Sequence, residues 1–261
     1  MVQDENGGNR GRGPRSSAPH SSGPNRARRA QPRSAQESPH QEDGPAIPAD
    51  IEAKQLAPEI RGELTTLDRS TADTVARHLV AAGLLLDEDP EAALAHARAA
   101  RARSGRIAAV REAVGIAAYH SGDWAQALAE LRAARRMGSK SALLPLIADC
   151  ERGVGRPERA LELARSPEAA ELTGDDADEM RIVAAGARCD LGQYEQAMAI
   201  LSTPQLDRTR VGQTAARLFY VYAETLLALG RSQEALQWFI NAAAADLEGL
   251  TDAEDRITEL S

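Results

Sequence analysis

A short motif built on glycine and alanine recurs along the chain and is the feature that most restricts the fold. Each of four copies has a glycine followed five residues later by alanine and then by leucine or methionine: Gly122–Leu128, Gly155–Leu161, Gly192–Met198 and Gly230–Leu236. A fifth, degenerate copy, Glu88–Leu94, has glutamate in place of the glycine. The anchoring alanines recur every 33 to 38 residues. A period near 34 residues, with one tight turn between two apolar-periodic runs, is typical of stacked helical hairpins.

One unit shows why the motif predicts a helix, a turn and a second helix. Ile107, Val110 and Val114 recur at helical spacing and predict a first helix with one buried face. Gly122 is suited to the positive φ of a helix C-terminal turn because it has no Cβ. Asp123 is a favourable N-cap for the helix that follows. We therefore predict helical hairpins over 107–121/123–137, 142–153/157–165, 178–191/193–202 and 213–229/231–245, preceded by a helix over 71–86 and a partner beginning at Pro90.

Further details of the motif resemble a known repeat family. Val114-Gly115 lies in a first helix, and an aromatic residue, Trp124 or Tyr194, stands two positions after the turn glycine. With the spacing of alanine and a bulky residue in the second helix, this pattern resembles the tetratricopeptide repeat over residues 74–245, in about five units. The alanine- and arginine-rich composition, with Lys54 and Lys140 as the only lysines, is similar to that of uncharacterised tetratricopeptide-like proteins of high-GC bacteria. The resemblance implies an all-α fold, an α-solenoid whose first helices form a concave groove.

Composition divides the chain into segments around this array. Residues 1–44 are predicted to be a disordered tail rich in arginine, glycine, proline and serine, because such a segment buries too little apolar surface to offset its chain entropy. Residues 45–70 are predicted to form N-terminal capping helices, the second beginning near Pro58. The repeat array is assigned to 71–250 and a C-terminal capping helix to 251–261, where Thr251 and Glu254 have the spacing of a capping box.

Charge is distributed unevenly between the tail and the rest. The whole chain has a formal net charge of −8, whereas residues 6–36 contain no acid and seven arginines: Arg10, Arg12, Arg15, Arg26, Arg28, Arg29 and Arg33. A basic tail of this kind is suited to non-specific RNA or DNA contact, as in a nucleic-acid- or ribosome-associated protein. A further alternative is that it lies on the acidic surface of its own chain.

The sequence lacks the motifs on which common enzyme classes depend. It contains no Gly-x-x-x-x-Gly-Lys phosphate loop, Gly-x-Ser-x-Gly elbow or His-Glu-x-x-His metal motif. The acids of 175–179 are expected just before a helix start, where they interact favourably with the helix dipole, and Cys150 and Cys189 are expected as small buried side chains. We therefore expect a protein that is not an enzyme, without metal, cofactor or membrane span. The absence of a signal-peptide pattern predicts a cytoplasmic location.

The function expected from the array is protein binding by an adaptor or scaffold. Ten positions are predicted to face the concave groove and form the candidate protein-binding site: His78, Glu112, Tyr119, His120, Asp149, Arg152, Asp190, Arg217, Tyr220 and Glu224. Carboxylate-clamp members of the family bind a partner's C-terminus with lysine and asparagine at such positions. None of the ten residues is a lysine or an asparagine, so the resemblance does not imply carboxylate-clamp binding here. The set is better suited to a basic or amphipathic segment than to an anionic one.

A second charge pattern lies within the array itself. Residues 96–136 contain eight arginines, whereas residues 162–190 are rich in acids. One interpretation is that both runs are solvated outer helix faces. The other is that the arginines form a basic convex patch for an anionic partner or for a contact between protomers.

Overall fold

A computed structural model describes residues 44–139 and 142–261 and shows an all-helical protein in those residues. The described part contains no β-strand, and its twelve α-helices are α1 Pro58–Glu63, α2 Arg69–Leu85, α3 Pro90–Ser104, α4 Ala108–His120, α5 Trp124–Arg136, α6 Leu144–Gly153, α7 Pro157–Ala164, α8 Gly174–Asp190, α9 Tyr194–Leu201, α10 Gln213–Ala228, α11 Ser232–Ala245 and α12 Ala253–Leu260. Short 3-10 turns occur at Ala53–Gln55, Leu64–Thr66 and Ala169–Glu171. The predicted tail, with its seven arginines, lies outside the described residues apart from Gly44.

The repeated glycines follow α4, α6, α8 and α10, the first helices of the four hairpins, and end them in the same geometry. Gly122, Gly155, Gly192 and Gly230 all have positive φ, between 70° and 77°. In each turn the glycine N–H donates to the carbonyl three residues back, and the next N–H donates to the carbonyl five residues back. These two bonds define the Schellman motif, which satisfies carbonyls left unpaired at a helix end. The sequence period is therefore a period of identical helix terminations.

Helices that follow one another in the chain also pack against one another. Every consecutive pair from α2 to α12 is in contact, and further contacts join α2 to α4, α6 to α8 and α8 to α10. Small residues allow this close packing: a Cβ placed on Gly115 of α4 would lie 2.6 Å from Cγ of Leu131 in α5. The anchoring alanines Ala127, Ala160 and Ala235 are completely buried.

Two local predictions are wrong. Thr251 does not cap α12, because its N–H and hydroxyl both donate to Asp246 at 2.7 Å, and the N-cap residue is Asp252. The acids of 175–179 do not precede a helix, because α8 already begins at Gly174 and places Asp178 and Glu179 in its second turn. Because α8 begins one turn earlier than predicted, Asp178 lies inside the helix rather than at its start. It is buried there and forms ion pairs with Arg181 and Arg210.

The buried anchoring alanines provide a stability prediction. Ala235 is enclosed by Phe239 and its neighbours in the α10–α11 core, so Ala235→Leu should overpack this core and lower the free energy of unfolding by about 1–3 kcal/mol. Urea denaturation measures the change. Ser232→Ala, at the start of the same helix, is the control and should stay within about 0.5 kcal/mol of the parent. Equal stability of Ala235→Leu and the parent would contradict the assigned packing.

Candidate functional site

Four first helices contribute to one open cleft of about 630 Å³. Its walls come from the C-terminal end of α4, from α6, from the N-terminal half of α8 and from the start of α10. Segments after α2 and after α11 complete the rim with Asp87, Glu248 and Leu250. Four predicted groove residues line this cleft: Tyr119, His120, Asp149 and Arg217.

A hydrogen-bonded network holds one side of the cleft in place. The Tyr119 hydroxyl donates to Asp149 at 2.5 Å, and Arg152 donates to the other oxygen of Asp149 at 2.7 Å. Arg152 also donates to both carboxylate oxygens of Asp190, at 2.8 and 3.2 Å. Burial, with the neighbouring Asp149 charge and hydrogen bond, raises the pKa of Tyr119, so the phenol stays protonated and acts as a donor. Arg152 thereby ties α6 to α8.

The opposite side is formed by a half-buried carboxylate that the sequence analysis did not select. Glu179 lies on α8 and forms an ion pair with Arg217 of α10 at 2.9 Å. Burial raises the pKa of Glu179, and the charge of Arg217 opposes this rise. The local sequence does carry a signal for this position, since Glu179 stands one helical turn before the buried Val183, which also lines the cleft.

The remaining predicted positions lie elsewhere. Glu112 lines a different cleft near α1 and accepts a hydrogen bond from Ser139 at 2.7 Å. Glu224 accepts hydrogen bonds from Arg256 of α12, and burial together with a hydrogen bond to Asp252 raises the pKa of Tyr220. The last two positions therefore contact the C-terminal helix region.

His78 differs from its predicted place on a binding surface. Its side chain is only 1% exposed, and its Nδ1 lies 3.0 Å from Nδ1 of His96, itself buried on α3. A partner at the surface cannot reach it. The reason is a contact between α2 and α3 that gives two buried imidazoles a shared hydrogen bond, which repeat spacing alone does not reveal.

The histidine pair predicts a dependence of stability on pH. Burial lowers the pKa of His96 below its usual 6.5, so the unfolded chain takes up a proton at a higher pH than the folded chain does. The stabilisation is therefore complete above pH 6.5 and is lost as the pH falls below it. His96→Asn should flatten the fall in the free energy of unfolding between about pH 7 and about pH 5, as measured by urea titration. Identical slopes in both proteins would contradict the prediction.

The body arginines are largely engaged with carboxylates of the same chain. Arg101 and Arg111 both pair with Glu130, which is 4% exposed. Arg132 pairs with the buried Glu151, and Arg135 pairs with Glu168. These contacts favour a structural role for the arginine-rich run of 96–136 over a free basic patch.

Comparison with known proteins adds no family assignment, since the sequence matches no protein-family model and no curated protein. Within residues 44–139 and 142–261, every helix is too short or too polar to cross a bilayer. The same residues contain no group of three His, Cys, Asp or Glu side chains placed to hold a metal ion. Cys150 is buried and Cys189 is half-buried, and both are free thiols.

Proposed function

We propose that this protein is a cytoplasmic adaptor, an α-solenoid of tetratricopeptide-like hairpins that binds a segment of another protein in the cleft lined by α4, α6, α8 and α10. The observation that carries the proposal is this cleft, because successive first helices contribute to one continuous surface. Extended surfaces of that kind are how helical-repeat proteins bind their partners.

Two features of the described residues support the solenoid part of the proposal. The four Schellman turns impose the same helix termination at a regular period, and the contacts of α8 with both α6 and α10 place first helices side by side. Such next-neighbour packing is the basis of a solenoid.

The walls of the cleft support the binding part. Leu146 is partly exposed beside the buried Pro145 and Val183, and Leu250 at the rim is 53% exposed. Polar side chains that converge on an apolar floor are typical of sites that orient a ligand.

Site-specific photo-crosslinking tests the proposal. A photoreactive amino acid at Leu146, inside the cleft, should give crosslinks to polypeptide in cells that make the protein. The matched position is Gln196 on α9, which lies outside this cleft and should give none of the same products. Products that form at Gln196 and not at Leu146 would contradict the proposed surface.

The alternative function, nucleic-acid or ribosome association through Arg10–Arg33, rests on residues outside the described part of the chain. It predicts that the logarithm of the binding constant for single-stranded RNA falls linearly with the logarithm of the salt concentration, with a slope of about −0.7 per phosphate contact. Replacing Arg26, Arg28 and Arg29 by alanine should make this slope smaller. If a protein lacking residues 1–43 still gives crosslinks from Leu146 to polypeptide, this result supports the adaptor function over the alternative.

A further inference from the structure

The cleft has a strong surplus of negative charge. Five carboxylates line it, from Asp87, Asp149, Asp176, Glu179 and Glu248, against the single guanidinium of Arg217. Among the described residues no lysine or arginine lies within ion-pair distance of Asp87, Asp176 or Glu248. His120 lies 3.9 Å from Asp87, Asp149 is paired with Arg152 and Glu179 with Arg217, so the surplus rests on Asp87, Asp176 and Glu248.

The carboxylates stand around an apolar floor. Asp176 and Glu179 are on α8, Asp149 faces them from α6, and Glu248 comes from the segment after α11. Asp149 and Glu179 have side-chain exposures of only 18% and 23%, so their field on an incoming cation is screened less than at an open surface. The same field repels the phosphates of a nucleic acid.

The Glu179–Arg217 ion pair shows how the cleft accommodates a cation. Glu179 has a side-chain exposure of 23% and Arg217 one of 44%. Arg217 is the more exposed partner and can turn toward solvent, whereas Glu179, which also has a hydrogen bond with Thr214, stays near the wall and would then need a new cationic partner. A guanidinium or ammonium group from outside the chain satisfies that need.

We propose that the cleft selects a basic, amphipathic polypeptide segment, whose arginine or lysine side chains pair with Asp176 and Glu179 while its aliphatic side chains lie on Leu146 and Leu250. This inference rests on the proposed adaptor function and specifies its partner class. An arginine is the better fit at a carboxylate pair because its planar group can bind through two parallel hydrogen bonds.

Fluorescence anisotropy with the full chain tests the inference. The probe is a labelled peptide of about twelve residues in which arginines and leucines alternate with glycine and serine, and a second peptide has glutamate at every arginine position. The arginine peptide should bind at least about tenfold more tightly than the glutamate peptide, and its affinity should fall as salt rises.

Matched variants locate the effect. Asp176→Asn with Glu179→Gln should weaken the arginine peptide at least about tenfold, whereas Glu158→Gln with Glu195→Gln, exposed acids in the first turns of α7 and α9, should leave it unchanged. Each double variant removes two negative charges from the N-terminal halves of helices. Equal weakening by both would show that the peptide responds only to the net charge of the protein, and would overturn the inference. Circular dichroism melts verify that each variant is folded.

Other outcomes separate this inference from the proposed function. Equal binding of both peptides in the cleft overturns charge selection and leaves the adaptor function standing. Preference for the glutamate peptide also overturns it. Failure of both peptides to bind, with Leu146 still crosslinking to polypeptide, overturns the basic partner alone, whereas failure of both assays overturns the adaptor function as well.

Discussion

Replacing Arg101 and Arg111 together by alanine is expected to lower the free energy of unfolding by about 3–5 kcal/mol. Both guanidinium groups pair with Glu130, whose side chain is only 5% exposed. Their removal leaves a carboxylate that is largely enclosed by the protein and has lost both cationic partners. Chemical denaturation of parent and variant measures the change.

A third substitution provides the control. Adding Glu130→Met to the double variant removes the unpaired charge and fills the site with apolar atoms, so it should restore most of the lost stability. If the arginines formed a free basic patch, the double variant would keep nearly full stability, and the third substitution would have nothing to restore. That outcome would contradict the structural role assigned to these arginines.

Phe239→Ala is expected to destabilise the protein by a similar amount, about 3–5 kcal/mol. Phe239 is completely buried between α10 and α11, where its ring meets Tyr220 edge-on at a centroid distance of 5.4 Å. Truncation removes apolar burial and leaves a cavity that the rigid helix pair cannot close.

The neighbouring residue gives a matched comparison for this variant. Ile240 lies next in the same helix but is 41% exposed, so Ile240→Ala should cost less than about 1 kcal/mol. Similar losses for both variants would mean that α11 is not buried through the face that carries Phe239.

The helices could be predicted from sequence because their determinants are local. Gly122, Gly155, Gly192 and Gly230 each terminate a helix through backbone bonds within six residues, and the observed hairpins begin and end within a few residues of the predicted bounds. Apolar spacing correctly located the buried face of α4, where Val110 and Val114 are completely buried, for the same reason. Local chemistry was less decisive at Thr251, where Asp246 competes for the same hydroxyl and prevents a capping box.

The candidate site was only partly predictable because it depends on contacts distant in sequence. Tyr119 and Asp149 follow from the repeat, yet their hydrogen bond joins residues of different hairpins. Glu248 and Leu250 reach the cleft from a segment after the last hairpin, which the repeat period does not describe. His78 shares the spacing of a groove residue but is buried through its contact with His96.

The proposed function depends most on the cleft lined by α4, α6, α8 and α10 being the surface that binds the partner. Methyl NMR of the full chain, titrated with the arginine peptide, tests it most directly. The methyl resonances of Leu146, Val183 and Leu250 are expected to shift together. Those of Leu161 and Ile200, which line a separate cleft among α7, α8 and α9, should stay in place. Shifts confined to Leu161 and Ile200, with Leu146, Val183 and Leu250 unchanged at saturation, would contradict it.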